Sequence, residues 1–115
     1  MVQLGPASIV VVPFPFSDLS GSKLRPAVIL ANARRDDWLL CQITSNPYSV
    51  PDAIRITSAD LQMGALTSMV SFARPIKLFT ASETVIGKHV AILKDEAFKA
   101  ILTAMIEALQ KNMPR

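Results

Sequence analysis

The first clear pattern along the chain is an unbroken β-branched run, Ile9, Val10, Val11 and Val12. Such a run suits a strand buried on both faces, and it predicts a strand over residues 8–14. Pro13 and Pro15 cannot donate to a ladder, so pairing there should weaken or move to an edge. Residues 15–24 turn polar and include Gly21, which reads as an exposed loop. Apolar residues return over 26–31 as a second strand, and the charged stretch 32–37 reads as a turn. A third strand is expected over 38–44, followed by a loop marked by Asn46, Pro47, Pro51 and Asp52. Residues 53–57 alternate and predict a short strand. Residues 58–62 read as one helical turn, with Ser58 as its N-cap and Gly64 ending it. Short strands are expected over 68–72 and 76–79, interrupted at Arg74 and Pro75, and another over 89–93.

The most regular pattern lies at the C-terminal end. Phe98, Ile101, Leu102, Met105, Ile106 and Leu109 recur at three- and four-residue spacing, which predicts an amphipathic helix over 95–111. Asp95 and Glu96 suit its first turn and Lys111 its last. Many short strands and one such helix predict a mainly β fold, a small barrel or curled sheet with the helix on one side. At 115 residues the chain is expected to be a single domain over 1–115.

Composition adjusts this picture in three ways. Half the residues are hydrophobic and only 6% aromatic, so aliphatic packing dominates and some apolar surface is expected to meet a partner subunit. Cys41, the single cysteine, has no intrachain disulfide partner and reads as a buried thiol in a reducing compartment. The sequence shows neither a leader nor a membrane-spanning run, so a soluble cytoplasmic protein is the expectation. The net charge of +3 is compatible with a polyanionic ligand without demanding one.

Candidate chemistry centres on Arg25, where a polar loop enters an apolar strand. A cation placed there is firmly held yet reaches solvent. Other chemistries fall away. One histidine and one cysteine cannot build a His/Cys metal cluster, and Gly21 stands alone without a phosphate-cradling motif. His89 has no motif around it and reads as structural.

Three runs carry a family resemblance: FPFSDLSGSKLRPAVIL at 14–30, CQITSNP at 41–47 and SFARPIKLFT at 71–80. Taken in order and at this separation, they resemble the PemK/MazF-like toxins. The resemblance implies an SH3-like small β-barrel, a homodimer, and metal-independent, sequence-selective cleavage of single-stranded mRNA with no cofactor. It also implies neutralisation by a cognate antitoxin, with DNA binding by the toxin–antitoxin complex. It places Arg25 and Thr44 together as catalytic residues. Arginine's planar fork can hold phosphate oxygens as charge develops, and a threonine hydroxyl can bond the same phosphate. Without the resemblance, Arg25 reads as a surface ion-pair residue and Thr44 as a strand-end turn cap.

Asp18 is a candidate acceptor for the 2′-hydroxyl proton, or else forms an Asx-turn beside Ser17. Ser20, Ser22 and Lys23 are expected to contact RNA backbone, and Ser45 either assists Thr44 or satisfies the turn. Tyr48 is a candidate stacking surface, whereas Phe14 and Phe16 read as apolar wall. Some family members carry an Arg-x-Asp pair and a first-loop histidine. Here Ser71 and Ala73 occupy the pair's positions, the loop has no histidine, and Arg74 follows as a phosphate contact. Two other readings use the same barrel: a gyrase-binding toxin, disfavoured by the QKNMPR end, and a non-catalytic RNA- or antitoxin-binding relic.

Overall fold

The computed structural model describes residues 4–15, 21–46 and 52–114. They form β1 (Ser8–Pro15), β2 (Ser22–Arg34), β3 (Asp37–Thr44), β4 (Ile54–Thr57), β5 (Leu61–Gly64), β6 (Val70–Ser82) and β7 (His89–Leu93), followed by helix α1 (Asp95–Gln110). The strands pair antiparallel in one sheet of order β4-β6-β3-β2-β1-β7-β5. Its outer strands, β4 and β5, are consecutive in sequence and joined only by a 3₁₀ turn, Ser58–Asp60. The sheet therefore curls until one short segment supplies both edges. The result is the nearly closed SH3-like small β-barrel, and closure limits the exposed edges through which sheets aggregate.

The closing turn differs from the helical turn expected over 58–62. Asp60 Oδ2 accepts hydrogen bonds from Thr57 N at 2.8 Å and Thr57 Oγ1 at 3.3 Å, so Thr57 rather than Ser58 is the cap. The turn stops after three residues because Leu61–Gly64 pairs with β7. Gly64 does not end a helix. It has φ +84°, and a Cβ there would collide with the Val90 carbonyl, so only glycine lets β5 approach β7 so closely. Lys94 N donates to Asp60 O at 2.8 Å, which ties the turn to the start of α1.

Strand alternation sorts the interior into two clusters. Ile9, Val28, Leu30, Cys41, Ile43 and Ala73 belong to one, with Leu93 and the fully buried Ile101 of α1. Phe98, Leu102 and Met105 pack against that cluster, while Ile106 and Leu109 of the same predicted stripe remain exposed. Val10, Val12, Ala27, Ile29 and Leu40 form the second cluster, covered by Ile86 and by Leu4, Trp38 and Phe79. Ile9, Val10 and Val12 of the β-branched run are thus buried, on opposite faces of β1, while Val11 is half-buried. Phe14 meets Phe79 edge-on at 4.6 Å and belongs to this apolar wall.

The prolines of β1 lie on the side where the sheet opens. Val11 N donates to Lys88 O and Val11 O accepts from Gly87 N, so residues 11, 13 and 15 direct their backbone groups towards β7. The β1–β7 ladder has ended by Val10, and β1 continues pairing with β2 as far as Pro15↔Ser22. Pro13 and Pro15 therefore lack a donor only where the ladder needs none.

Two elements run longer than the hydrophobic pattern predicts. β2 spans 13 residues because its polar ends still pair, and it reverses into β3 through a tight turn with Arg35 at φ 51°. β6 is one strand rather than two. Cys41 opposes Leu78 and Ile43 opposes Ala73, so residues 74–77 bulge opposite Gln42 alone. The bulge absorbs the buried Pro75 without breaking the strand. No helix among the described residues is long and apolar enough to cross a membrane.

Candidate functional site

The barrel wall places the beginning of β2 beside the end of β3. Ala27 pairs with Gln42, and the same register continued by two residues sets Arg25 opposite Thr44. Both line a cavity of about 220 Å³, with Lys23 and Ser45. The two site residues expected from sequence are thus brought together by a strand register rather than by nearness in the chain.

Their bonding leaves both groups available. The Arg25 guanidinium has no hydrogen-bond or ion-pair partner among the described residues. Thr44 Oγ1 accepts from Asn46 N at 3.1 Å, which satisfies the turn after β3, and among the described residues the hydroxyl proton has no acceptor. Thr44 is therefore a turn cap and a prospective phosphate donor at once. The other side of the cavity comes from Leu66, Thr67 and Ser68, which follow β5, and from Ser71 of β6. These residues were missed in the sequence, where only a Thr-Ser dipeptide more than twenty residues past Thr44 marks them. Ser71 reaches the cavity, whereas Ala73, also matched to the Arg-x-Asp pair, is fully buried in the first cluster.

Arg74 is not in the cavity wall. Its Nη1 donates to Gln42 Oε1 at 2.6 Å, and its buried Nε has no partner among the described residues. Asp18, Ser20 and Tyr48 lie outside the described residues, as do the side chain of Ser22 and Phe16. The described residues lining the cavity include no carboxylate or imidazole. Among the described residues no cluster of three or more His, Cys, Asp or Glu side chains is placed to hold a metal ion. Cys41 is buried in the core, and desolvation pushes its thiol up to about 12, so it has no part in the site's chemistry.

What the arrangement offers is a small polar recess lined by Lys23, Arg25 and several hydroxyl-bearing residues, with Arg25 unpaired among the described residues. It can hold an anion and stabilise added negative charge on it.

Comparison with known proteins agrees with this barrel. The MazE–MazF crystal structure from Deinococcus radiodurans superposes with a TM-score of 0.74 at 12% identity, covering 96% of this chain and 98% of that one. An endoribonuclease from a mycobacterial species gives 0.69 at 16% identity, with 99% and 98% covered. An endoribonuclease in complex with its cognate antitoxin, also mycobacterial, gives 0.67 at 15% identity, with 99% and 100% covered. At these identities the likeness shows the fold. A sequence search of curated proteins returned no significant match. The sequence profile of the PemK-like, MazF-like toxins of type II toxin–antitoxin systems matches residues 6–109, nearly the whole chain. The chain belongs to that toxin family.

Proposed function

We propose that the protein is the endoribonuclease toxin of its toxin–antitoxin pair, cutting single-stranded mRNA at the Arg25–Thr44 cavity and so halting translation. The observation that carries this reading is that Arg25, with no hydrogen-bond or ion-pair partner among the described residues, and Thr44 line one recess. In the reaction the RNA 2′-oxygen bonds to the adjacent phosphorus as the bond to the 5′-oxygen breaks. The products are a 2′,3′-cyclic phosphate and a 5′-hydroxyl. The phosphate carries extra negative charge midway, which Arg25 meets with a planar pair of donors and Thr44 with one more. Lys23 adds positive charge at the same wall, and Ser45 flanks Thr44.

The 2′-hydroxyl proton needs an acceptor, and the departing 5′-oxygen takes up a proton from water. Since the described lining holds no carboxylate or imidazole, Asp18 of the β1–β2 loop is the proposed acceptor, with Ser20, Ser22 and Tyr48 as RNA contacts. A homodimer and a cognate antitoxin complete the proposal. The exposed Leu24 and Met69 near the cavity give an antitoxin apolar contacts beside cationic ones. The reading without catalysis draws on the same lack of a described base, and one experiment separates the two. Purified protein is incubated in EDTA with long single-stranded RNAs, and the fragment ends are mapped. Discrete cuts, each leaving a 5′-hydroxyl, are expected. Intact RNA bound by folded protein would favour binding without chemistry.

A further inference from the structure

One wall of the recess is held differently from the others. Arg25, Thr44 and Ser71 sit on paired strands, whereas Leu66, Thr67 and Ser68 belong to the connection between β5 and β6. Both ends of that connection are pinned. Ala65 N donates to Val90 O at 3.2 Å, just past the close approach of Gly64 to β7, and Val70 pairs with Thr57. Between the pins, residues 66–69 make no hydrogen bond with any described residue. Thr67 and Met69 are exposed, Met69 at 90%. Leu66 packs against the first core cluster and is itself only half-buried.

The space beside this segment is underfilled. Leu66 and Thr67 border three separate cavities. One is the Arg25–Thr44 recess of about 220 Å³. A second, about 210 Å³, has Val11, Leu24, Pro26 and Val90 in its wall. The third, about 220 Å³, lies among Ile56, Thr57, Leu61 and Met69. A half-buried leucine beside an empty apolar cavity has a second seat that also keeps it from water, so changing seats forfeits little burial. Packed side chains move between discrete arrangements of this kind, and the residues at the ends of an unbonded segment absorb the backbone change.

We propose that Leu66–Met69 is a strap with two positions and that Leu66 is its latch. In the closed position Leu66 partitions the recess from its neighbours. In the open one Leu66 seats among Val11, Leu24, Pro26 and Val90, Thr67 and Ser68 draw back from the recess, and the recess joins the cavity beside Met69. Opening lets a phosphodiester enter or leave, and closing excludes water while it reacts. That role rests on the recess being the site of cleavage, whereas the motion itself does not.

Methyl relaxation dispersion on protein labelled at leucine and valine tests the motion without RNA. Exchange on the μs–ms timescale is expected at Leu66 and at Val11, Leu24 and Val90 beside its second seat, with flat profiles at Val28 and Leu40. A flat profile at Leu66 in folded wild-type protein would overturn the strap. Leu66→Phe should quench the exchange, because the ring fills the space into which the leucine moves. Val11→Phe fills the same seat from β1 and leaves Leu66 in place, so it serves where Leu66→Phe fails to fold. With RNA in excess, either variant should turn over severalfold more slowly than wild type, while its single-turnover rate on bound RNA is unchanged, since only release is slowed. Wild-type turnover by a folded variant that has lost the exchange would overturn the strap's role in the reaction. Exchange at Leu66 in a wild-type protein that cuts no RNA would sink the cleavage reading and leave the strap standing.

Discussion

The two halves of the same three strands have opposite character. Around Val10, Ile29 and Leu40 the wall is apolar and covered on both faces, by the barrel interior on one side and by Leu4, Trp38 and Ile86 on the other. Four residues before Ile29 on β2, and four after Leu40 on β3, the wall offers Arg25 and Thr44 to an open recess. The β1–β2 ladder runs unbroken through both halves. The difference lies in what covers the strand. The closed half fixes the register, and the register carries a charge and a hydroxyl to facing positions at the uncovered end.

That division can be broken from either side. The largest stability effect should come from the covered half. Ile29→Ala removes a fully buried side chain and should cost about 2–5 kcal/mol, read by chemical denaturation. If residual folded protein retains the wild-type cleavage rate per folded molecule, stability and chemistry are separable as described. At the open end, Thr44→Val should slow cleavage by about 10- to 100-fold through loss of one donor, while Thr44→Ser keeps the hydroxyl and most of the rate. Equal rates for the valine and serine variants would remove Thr44 from the chemistry.

A smaller effect sharpens the same contrast through pH. Burial pushes the Cys41 thiol up to about 12. The unfolded chain would release that proton near the ordinary thiol range while the folded one retains it. Above about pH 9, then, the unfolded state binds fewer protons, and stability should fall by roughly 1.4 kcal/mol per pH unit towards 12. Cys41→Ala should flatten this slope when denaturation midpoints are compared at pH 9 and 10. An unchanged slope would mean that other groups set the alkaline limit.

Much of this was legible in the chain. The β-branched run of β1, the alternation of β4, β7 from 89 to 93 and the spacing of α1 each follow from a local pattern, and each pattern is the imprint of burial. The parts that were not legible depend on distant partners. β5 pairs as a strand because β7 lies beside it and Gly64 permits the approach, which no pattern over 58–64 announces. Arg74 and Pro75 look like a break until Gln42 is found opposite the bulge. In the site, Arg25 and Thr44 could be named from their motifs, but Leu66, Thr67 and Ser68 complete the recess only after the barrel has closed.

The most direct test is single-turnover cleavage by Arg25→Ala, measured beside wild type at protein concentrations above saturation and with melting curves on the same preparations. Loss of about 10²- to 10³-fold in rate with an unchanged melting temperature is the predicted result, since one charge-stabilising donor is removed from an exposed wall that the core does not need. A wild-type rate from folded Arg25→Ala protein would contradict the account, because the cleaved phosphate would then be held elsewhere on the barrel.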